Sequence, residues 1–295
     1  MHFKTRGEKI FSVFNYLFIT LVCLTCALPI VHILAVSFSA PAYASGGHVT
    51  FWPMGFSTEA YQFAFVTGRF TRAFFVSVQR VVLGVSINMF LMVTVAYPLA
   101  KSAAKFSARN YYMAFFAITM IFGGGIVPFF ILISHMNMMD TIWSLVVPGG
   151  LPVFSMIILM NFIRGIPEEL EEAAMVDGAG VFIILFRILL PVLKPALATV
   201  ALFSFIHHWN EWFLGMLFMN RPENFPLQTY LQTLLVDFRS LMRTFSGDHM
   251  QLIQRLNERT GRAAQLFLGM LPVLVVYPFL QKYFAKGLVM GSVKG

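Results

Sequence analysis

Long apolar runs separated by short polar connectors set the pattern of this chain. Six such runs fall at about 10–37, 72–100, 110–134, 141–163, 196–219 and 263–284. Each reaches or exceeds the roughly 20 apolar residues a helix needs to cross the hydrocarbon core. The strands of an outer-membrane barrel would instead read as alternating segments of about ten residues. The pattern therefore predicts an all-α membrane protein with six transmembrane helices in a single domain over 1–295, and six passages place both termini on one side.

Several runs carry their own punctuation. Lys4, Arg6 and Lys9 precede the first run, and Ala42-Tyr43-Ala44 follows it in the manner of a signal-peptidase site. A signal peptide has an apolar region of about 7–15 residues, so this much longer run reads as a retained, tilted span. The connector after it, rich in Gly and aromatics and holding Gly46-Gly47 and Trp52-Pro53, suits an external loop with interfacial anchors. Gly123-Gly124-Gly125 and Pro128 interrupt the third run; they mark either a kink or a flexing element beside a pathway. Pro148, Gly149, Gly150 and Pro152 bend the outer part of the fourth. A long polar connector, 220–262, is expected outside the membrane.

Composition sharpens this picture. Of 295 residues, 58% are hydrophobic and 12% charged, against about 25% charged in soluble domains. The formal net charge of +8 invites a nucleic-acid reading, but its placement points elsewhere. All eight lysines (4, 9, 101, 105, 194, 282, 286, 294) fall in the termini and in one alternate set of connectors. The positive-inside rule assigns that set to the cytoplasm, together with both termini and the region 164–195. The basic stretch Arg239–Arg262 then lies outside, which removes nucleic acid as its partner. Cys23 and Cys26 sit inside the first apolar run with no further Cys or His partners there, so they read as small apolar packing.

The stretch 166–195, IPEELEEAAMVDGAGVFIILFRILLPVLKP, gathers four of the thirteen acids within five residues. So much charge requires water, and the local chemistry predicts two short helices joined by a turn. Pro167 suits a first helical position, and Glu168, Glu169, Glu171 and Glu172 complement the positive end of the helix dipole. Asp177 to Gly180 supplies the stop, with Gly178 or Gly180 able to take the left-handed conformation that closes a helix. Ala173 and Ala174 leave a smooth surface for close approach, and an apolar helix follows into Pro191.

Glu172, Ala173, Ala174, Asp177 and Gly178, followed by Ile188, Leu190 and Pro191, resemble the EAA signature of membrane subunits in bacterial ABC importers. The flanks, Ile166-Pro167-Glu168-Glu169-Leu170, 195–205 and Trp209-Asn210-Glu211, resemble more narrowly the carbohydrate branch that contains the maltose-type permease subunit. The closing Lys286-Gly287 and Gly291–Gly295 are similar to members serving oligosaccharides from plant or algal polysaccharides such as pectin or alginate. This resemblance covers nearly the whole chain. It implies the MetI-like importer fold and a bacterial inner membrane. The implied partners are a second, usually different permease, two ATPase subunits, an extracytoplasmic substrate-binding protein and an oligosaccharide. It also implies that Glu168, Glu169, Glu171, Glu172, Ala173, Ala174, Asp177, Gly178, Gly180 and Pro191 engage the ATPase. ATP and Mg would belong to that partner, with no cofactor in this chain.

Polar residues inside the spans are the remaining candidates. Arg80, Asn88, Trp209, Asn210 and Glu211 read as a cavity-lining patch on the substrate path, because charge facing lipid is costly. Arg80 presents a planar fork suited to a carboxylate, which motivates an acidic, uronate-containing cargo; it could equally snorkel outward or pair with Glu211. His207 and Glu211 lie one turn apart, yet two groups on one helix make a poor metal site, so none is expected. No catalytic motif and no phosphate-binding Gly-x-x-x-x-Gly-Lys loop appears, so ATP hydrolysis is not expected in this chain. Two other classes remain open on residues alone: an ion-coupled secondary transporter using Glu211, or a nontransporting scaffold.

Overall fold

The computed structural model describes residues 5–66, 68–243 and 257–292. The expected features at Lys4, most of the Arg239–Arg262 stretch and the closing Gly-Ser-Val-Lys-Gly lie wholly or partly outside the described residues, or outside those with described side chains. In order, the helices used below are α1 (Arg6–Ser37), α2 (Pro41–Ser45), α3 (Glu59–Val66), α4 (Arg69–Ala100), α5 (Arg109–Ile121), α6 (Ile126–His135), α7 (Trp143–Val146), α8 (Val153–Arg164) and α9 (Glu169–Val176). They continue with α10 (Val181–Val192), α11 (Lys194–Asn210), α12 (Phe213–Phe218), α13 (Leu227–Arg243) and α14 (Glu258–Ser292). The chain divides into two compact units, Met1–Thr71 with Leu231–Leu271 and Arg72–Tyr230 with Pro272–Gly295.

In the first unit, Thr5 opens α1 with a reciprocal capping box: its hydroxyl accepts from the Glu8 N–H at 3.3 Å and its own N–H donates to the Glu8 carboxylate at 2.7 Å. The apolar stretch of α1 is uncovered by the rest of the chain, as expected of a face turned to lipid or another subunit. Its far end is anchored. Phe38 stacks on Phe56 and Tyr61, and Ser37 Oγ meets the Tyr61 hydroxyl at 2.6 Å. Asn257 bonds Ser45 Oγ, and Arg259 donates to the Ala44 carbonyl at 3.2 Å, closing the end of α2.

The second unit has the main core. Met92, Ala96 and Leu99 of α4 pack with Met156, Leu159, Met160 and Ile163 of α8, with Ala174 of α9, and with Ile184, Leu185, Leu189, Ala196 and Val200 of α10 and α11. Helix α5, by contrast, buries none of its residues.

Among the described residues, three helices are long and apolar enough to cross a membrane: Arg6–Ser37, Arg69–Ala100 and Glu258–Pro278. Two further pairs pass only together, α5 with α6 bent by 114° and α10 with α11 bent by 84°, while α8 is apolar but shorter. The differences from the expected runs have local causes. The third run breaks at 122–125, where three glycines remove any side chain that could favour helix, and Gly125 adopts φ 81°. The fourth is helical mainly from Val153, because Pro148 and Pro152 each withhold a backbone N–H. The fifth stops at Asn210 and resumes at Phe213, without Gly or Pro, for a tertiary reason given below. The 220–262 connector contains helix α13, and α14 begins at Glu258 rather than 263.

Candidate functional site

Two polar constellations stand out in the second unit: the acidic knuckle and a buried hub.

The knuckle is α9 with its turn. Pro167 falls just before the cap, Glu168, rather than at the first helical position. The helix ends in a Schellman motif: the Ala179 N–H donates to the Ala174 carbonyl at 2.9 Å and the Gly178 N–H to the Met175 carbonyl at 3.0 Å. Gly178 takes φ 80°; Gly180, at φ −75°, does not need to be glycine for its backbone. Ala174 is buried in the core, whereas Glu168, Glu169, Glu172, Ala173, Asp177, Gly178, Gly180 and Pro191 are exposed. Apolar Leu170, Val176, Val181 and Phe182 are exposed beside them, with Val176 at 87%. Beyond the turn, the helix passes through a π-turn over Ile184–Leu189, next to Pro191, whose missing N–H removes one α-type bond.

Glu171 alone among the four acids turns inward. Its carboxylate pairs with Lys101 Nζ and lies 3.4 Å from the Tyr97 hydroxyl, while the Lys101 ammonium stands 4.4 Å over the Tyr97 ring. Glu168 pairs with Lys105 at 2.6 Å on the exposed flank. That hydrogen bond lifts the Lys105 ammonium above its usual range and holds Glu168 below the usual carboxylate range. The Leu99 carbonyl, near the end of α4, accepts from Arg109 at 3.0 Å and Arg164 at 3.1 Å. The knuckle is thus fastened to the end of one long helix.

The hub lies further along that helix. Arg80 is fully buried; its Nη1 donates to the Glu211 carbonyl at 2.8 Å and its Nη2 to the Glu211 carboxylate at 2.7 Å. The other carboxylate oxygen accepts the Leu214 N–H at 2.8 Å, capping α12. This explains the break: Arg80 engages the Glu211 carbonyl, and the residue leaves helical geometry at ψ 115°. Asn88 is saturated: its amide donates to the Gly149 and Gly150 carbonyls at 2.6 and 2.8 Å, and its oxygen accepts from Ser204 and His208 at 2.6 and 2.8 Å. His208 fits only because Gly84 has no side chain, since a Cβ there would strike the imidazole.

Of the sequence candidates, the structure joins Arg80 to Glu211. Asn88 lies on the same α4 face and bonds Ser204 and His208 of α11. Trp209 is buried against Phe74 and Phe205, and Asn210 is exposed. Glu211 is engaged by Arg80 rather than shared with His207, and no group of three or more potential metal ligands occurs among the described residues. Sequence reasoning did not place Tyr97, Lys101, Lys105, Gly84 or Ser204 in a site. A signal existed: Arg80, Gly84 and Asn88 recur every fourth residue, as do Ser204 and His208, so each set forms one stripe on its helix. Asp140 was also missed; its carboxylate accepts from the Asn220 and Arg221 N–H groups at 3.2 Å and from Asn224 at 3.1 Å, and meets Arg221 Nε at 3.3 Å.

No family model matches the chain. Individual proteins do. The chain is 37% identical over 295 residues to protein LplC of Bacillus subtilis, covering 100% of this chain and 98% of that protein. It is 34% identical over 288 residues to the polygalacturonan/rhamnogalacturonan transport system permease protein YtcP of the same organism, covering 98% and 99%. The chain belongs to the permease subunits of carbohydrate ABC importers. A crystal structure of a bacterial ABC transporter involved in the import of the acidic polysaccharide alginate superposes on this permease with a TM-score of 0.86 at 28% identity, covering 96% of this chain and 100% of that one. The all-α, MetI-like architecture follows. As a permease the chain is membrane-embedded and not an enzyme, since ATP hydrolysis resides in separate subunits. Membership implies in general a partner permease, an ATPase and a substrate-binding protein.

Proposed function

We propose that this permease forms half of the translocation pathway for oligosaccharides bearing uronic acids, fragments of a pectin- or alginate-like polysaccharide. The observation that carries the reading is the end-to-end likeness to YtcP, joined by the structural likeness to the alginate importer. Arg80 adds nothing to it, because it is fully buried and both of its terminal nitrogens bond Glu211. Selection of charge then falls to other residues, to the second permease or to the binding protein.

In this reading the three long helices, the two bent pairs and α8 make six passages through a bacterial cytoplasmic membrane, with both termini inside. The partner permease is a different chain. One of the two ATPase subunits seats on α9, whose exposed Ala173 and flanking Leu170, Val176 and Phe182 offer a small apolar knob ringed by carboxylates. Closure of the ATPases on ATP pushes the knuckle, and the binding protein meets the 220–262 connector on the other side. The spans rock between outward and inward openings. Chemistry stays with the ATPases; this chain transmits force and shapes the path.

Vesicles carrying the whole transporter, loaded with ATP and given matched galacturonate and neutral oligosaccharides, test the reading. ATP-dependent uptake that prefers the galacturonate oligomer is expected. Preference for the neutral sugar would remove the acidic cargo, and uptake driven by an ion gradient without ATP would remove the ABC mechanism for this chain.

A further inference from the structure

A cavity of about 580 Å3 opens beside the break between α5 and α6, lined by Gly123, Gly124, Gly125, Phe129, Leu132 and Phe213 among others. No ionisable side chain lines it. The break cannot be explained as packing. A Cβ added at Gly123 or Gly124 would meet no atom within 4 Å, and neither residue has a positive φ that would demand glycine. Among the described residues, no hydrogen bond reaches the peptide groups of Gly123 and Gly124. Yet the flanks are strongly apolar and exposed, with Ile121 at 79%, Phe122 at 74% and Val127 at 64%.

Within a membrane span these facts require that water, a polar ligand or another protein chain meet the gap. In hydrocarbon each unpaired peptide group costs several kcal/mol, so non-helical backbone within a membrane span survives only where protein covers it or water reaches it. A side-chain-free ribbon of N–H and C=O groups, lining one cavity with Phe129 and Phe213, has the chemistry that recognises a pyranose: hydrogen bonds to hydroxyls along one edge and apolar contact to the ring face. Mostly apolar walls with a few backbone donors and acceptors are also typical of small-molecule sites, and the volume lies inside their usual range.

We infer that Gly123–Gly125, with Phe129 and Phe213, form a subsite for a sugar ring of the cargo, blind to the sugar's charge. This deepens the oligosaccharide reading and rests on it. Gly123 and Gly124 keep the path open, while Gly125, at φ 81°, also lets the backbone turn there.

The test uses the whole transporter in vesicles, with Cys23→Ser and Cys26→Ser removing the two native thiols. Gly124→Cys, and Gly123→Cys as a second position, should react with a membrane-impermeant cationic thiol reagent. Trigalacturonate, or maltotriose if the vesicles take that up instead, should slow the labelling about tenfold at ten times its Kd. Gly124→Leu should abolish uptake while the ATPase still co-purifies. Labelling only by a lipid-soluble maleimide, or by neither reagent, would assign the break to lipid or to the partner permease and overturn the subsite. So would labelling unchanged by a sugar that the same vesicles transport, or normal uptake by Gly124→Leu. If the unaltered transporter takes up neither sugar, the oligosaccharide reading itself has failed.

Discussion

Arg80 and Glu211 bind each other twice, once through the carboxylate and once through the carbonyl of the residue at which α11 stops. The pair is therefore a backbone device as well as an ion pair, and it holds the gap between α11 and α12 open. Breaking one partner of a buried pair typically costs about 3–5 kcal/mol, because a charge is left unmatched. Arg80→Gln is expected to lower the thermal stability of the purified transporter and to reduce uptake of charged and neutral oligosaccharides equally. Arg80→Lys, which keeps the charge but not the fork, should recover only part of the stability. Selective loss of charged cargo would instead return Arg80 to the substrate path.

Gly84 and His208 make a sharper stability test. Gly84→Ala places a methyl group against the imidazole and should displace it from Asn88. Overpacking of this kind costs roughly 1–3 kcal/mol. A drop in melting temperature is expected, and Gly84→Ala with His208→Ala should recover part of it.

At the knuckle, the two glycines should part company. Gly178 sits at φ 80°, so Gly178→Ala is strained by about 1–2 kcal/mol and Gly178→Pro should abolish transport without preventing membrane insertion. Gly180 has an ordinary φ of −75°, and a Cβ there meets nothing, so Gly180→Ala should keep the turn intact. Co-purification of the ATPase and uptake in each variant decide the matter.

Lys101 and Lys105 also differ, although both pair with acids of α9. The Lys101–Glu171 side chains are 19% and 12% exposed, those of Lys105–Glu168 48% and 64%. Exposed pairs contribute about 0–1 kcal/mol, while the enclosed one also holds the knuckle to α4. Lys101→Met should lower sugar transported per ATP hydrolysed by roughly tenfold, in the usual range for coupling between distant sites. Lys101→Arg should restore it, and Lys105→Met should change it little.

Asp140 carries a pH signature. Its burial pushes its carboxyl up, but the hydrogen bonds from Asn224, Arg221 and Asn220 and the charge of Arg221 outweigh this and hold it below its ordinary value. A depressed carboxylate stabilises the fold above its unfolded pKa, near 3.9, and loses that contribution as pH falls through the lower, folded value. Asp140→Asn should flatten the acid limb of the transporter's stability profile and leave the neutral-to-alkaline limb unchanged in shape.

Much of this protein was legible in its sequence because the bilayer imposes a coarse, local code. Runs of apolar residues pointed to the all-helical class, and 166–180 announced a helix, a turn and a closing glycine from its own residues. The knuckle could be read this way because a Schellman close is decided by chain neighbours. The stop at Glu211 could not, since nothing near it breaks a helix and the cause is a guanidinium 131 positions away in the chain. For the same reason sequence left Arg80 between lipid headgroup, cargo and counter-ion, and could not tell that Glu171 turns to Lys101 while Glu172 faces outward. Periodicity places a residue on a helix face. Only the packing of that helix against others decides whether a charge on the face meets water, a partner or another charge, and here that choice separated the buried Arg80–Glu211 pair from the open glycine break.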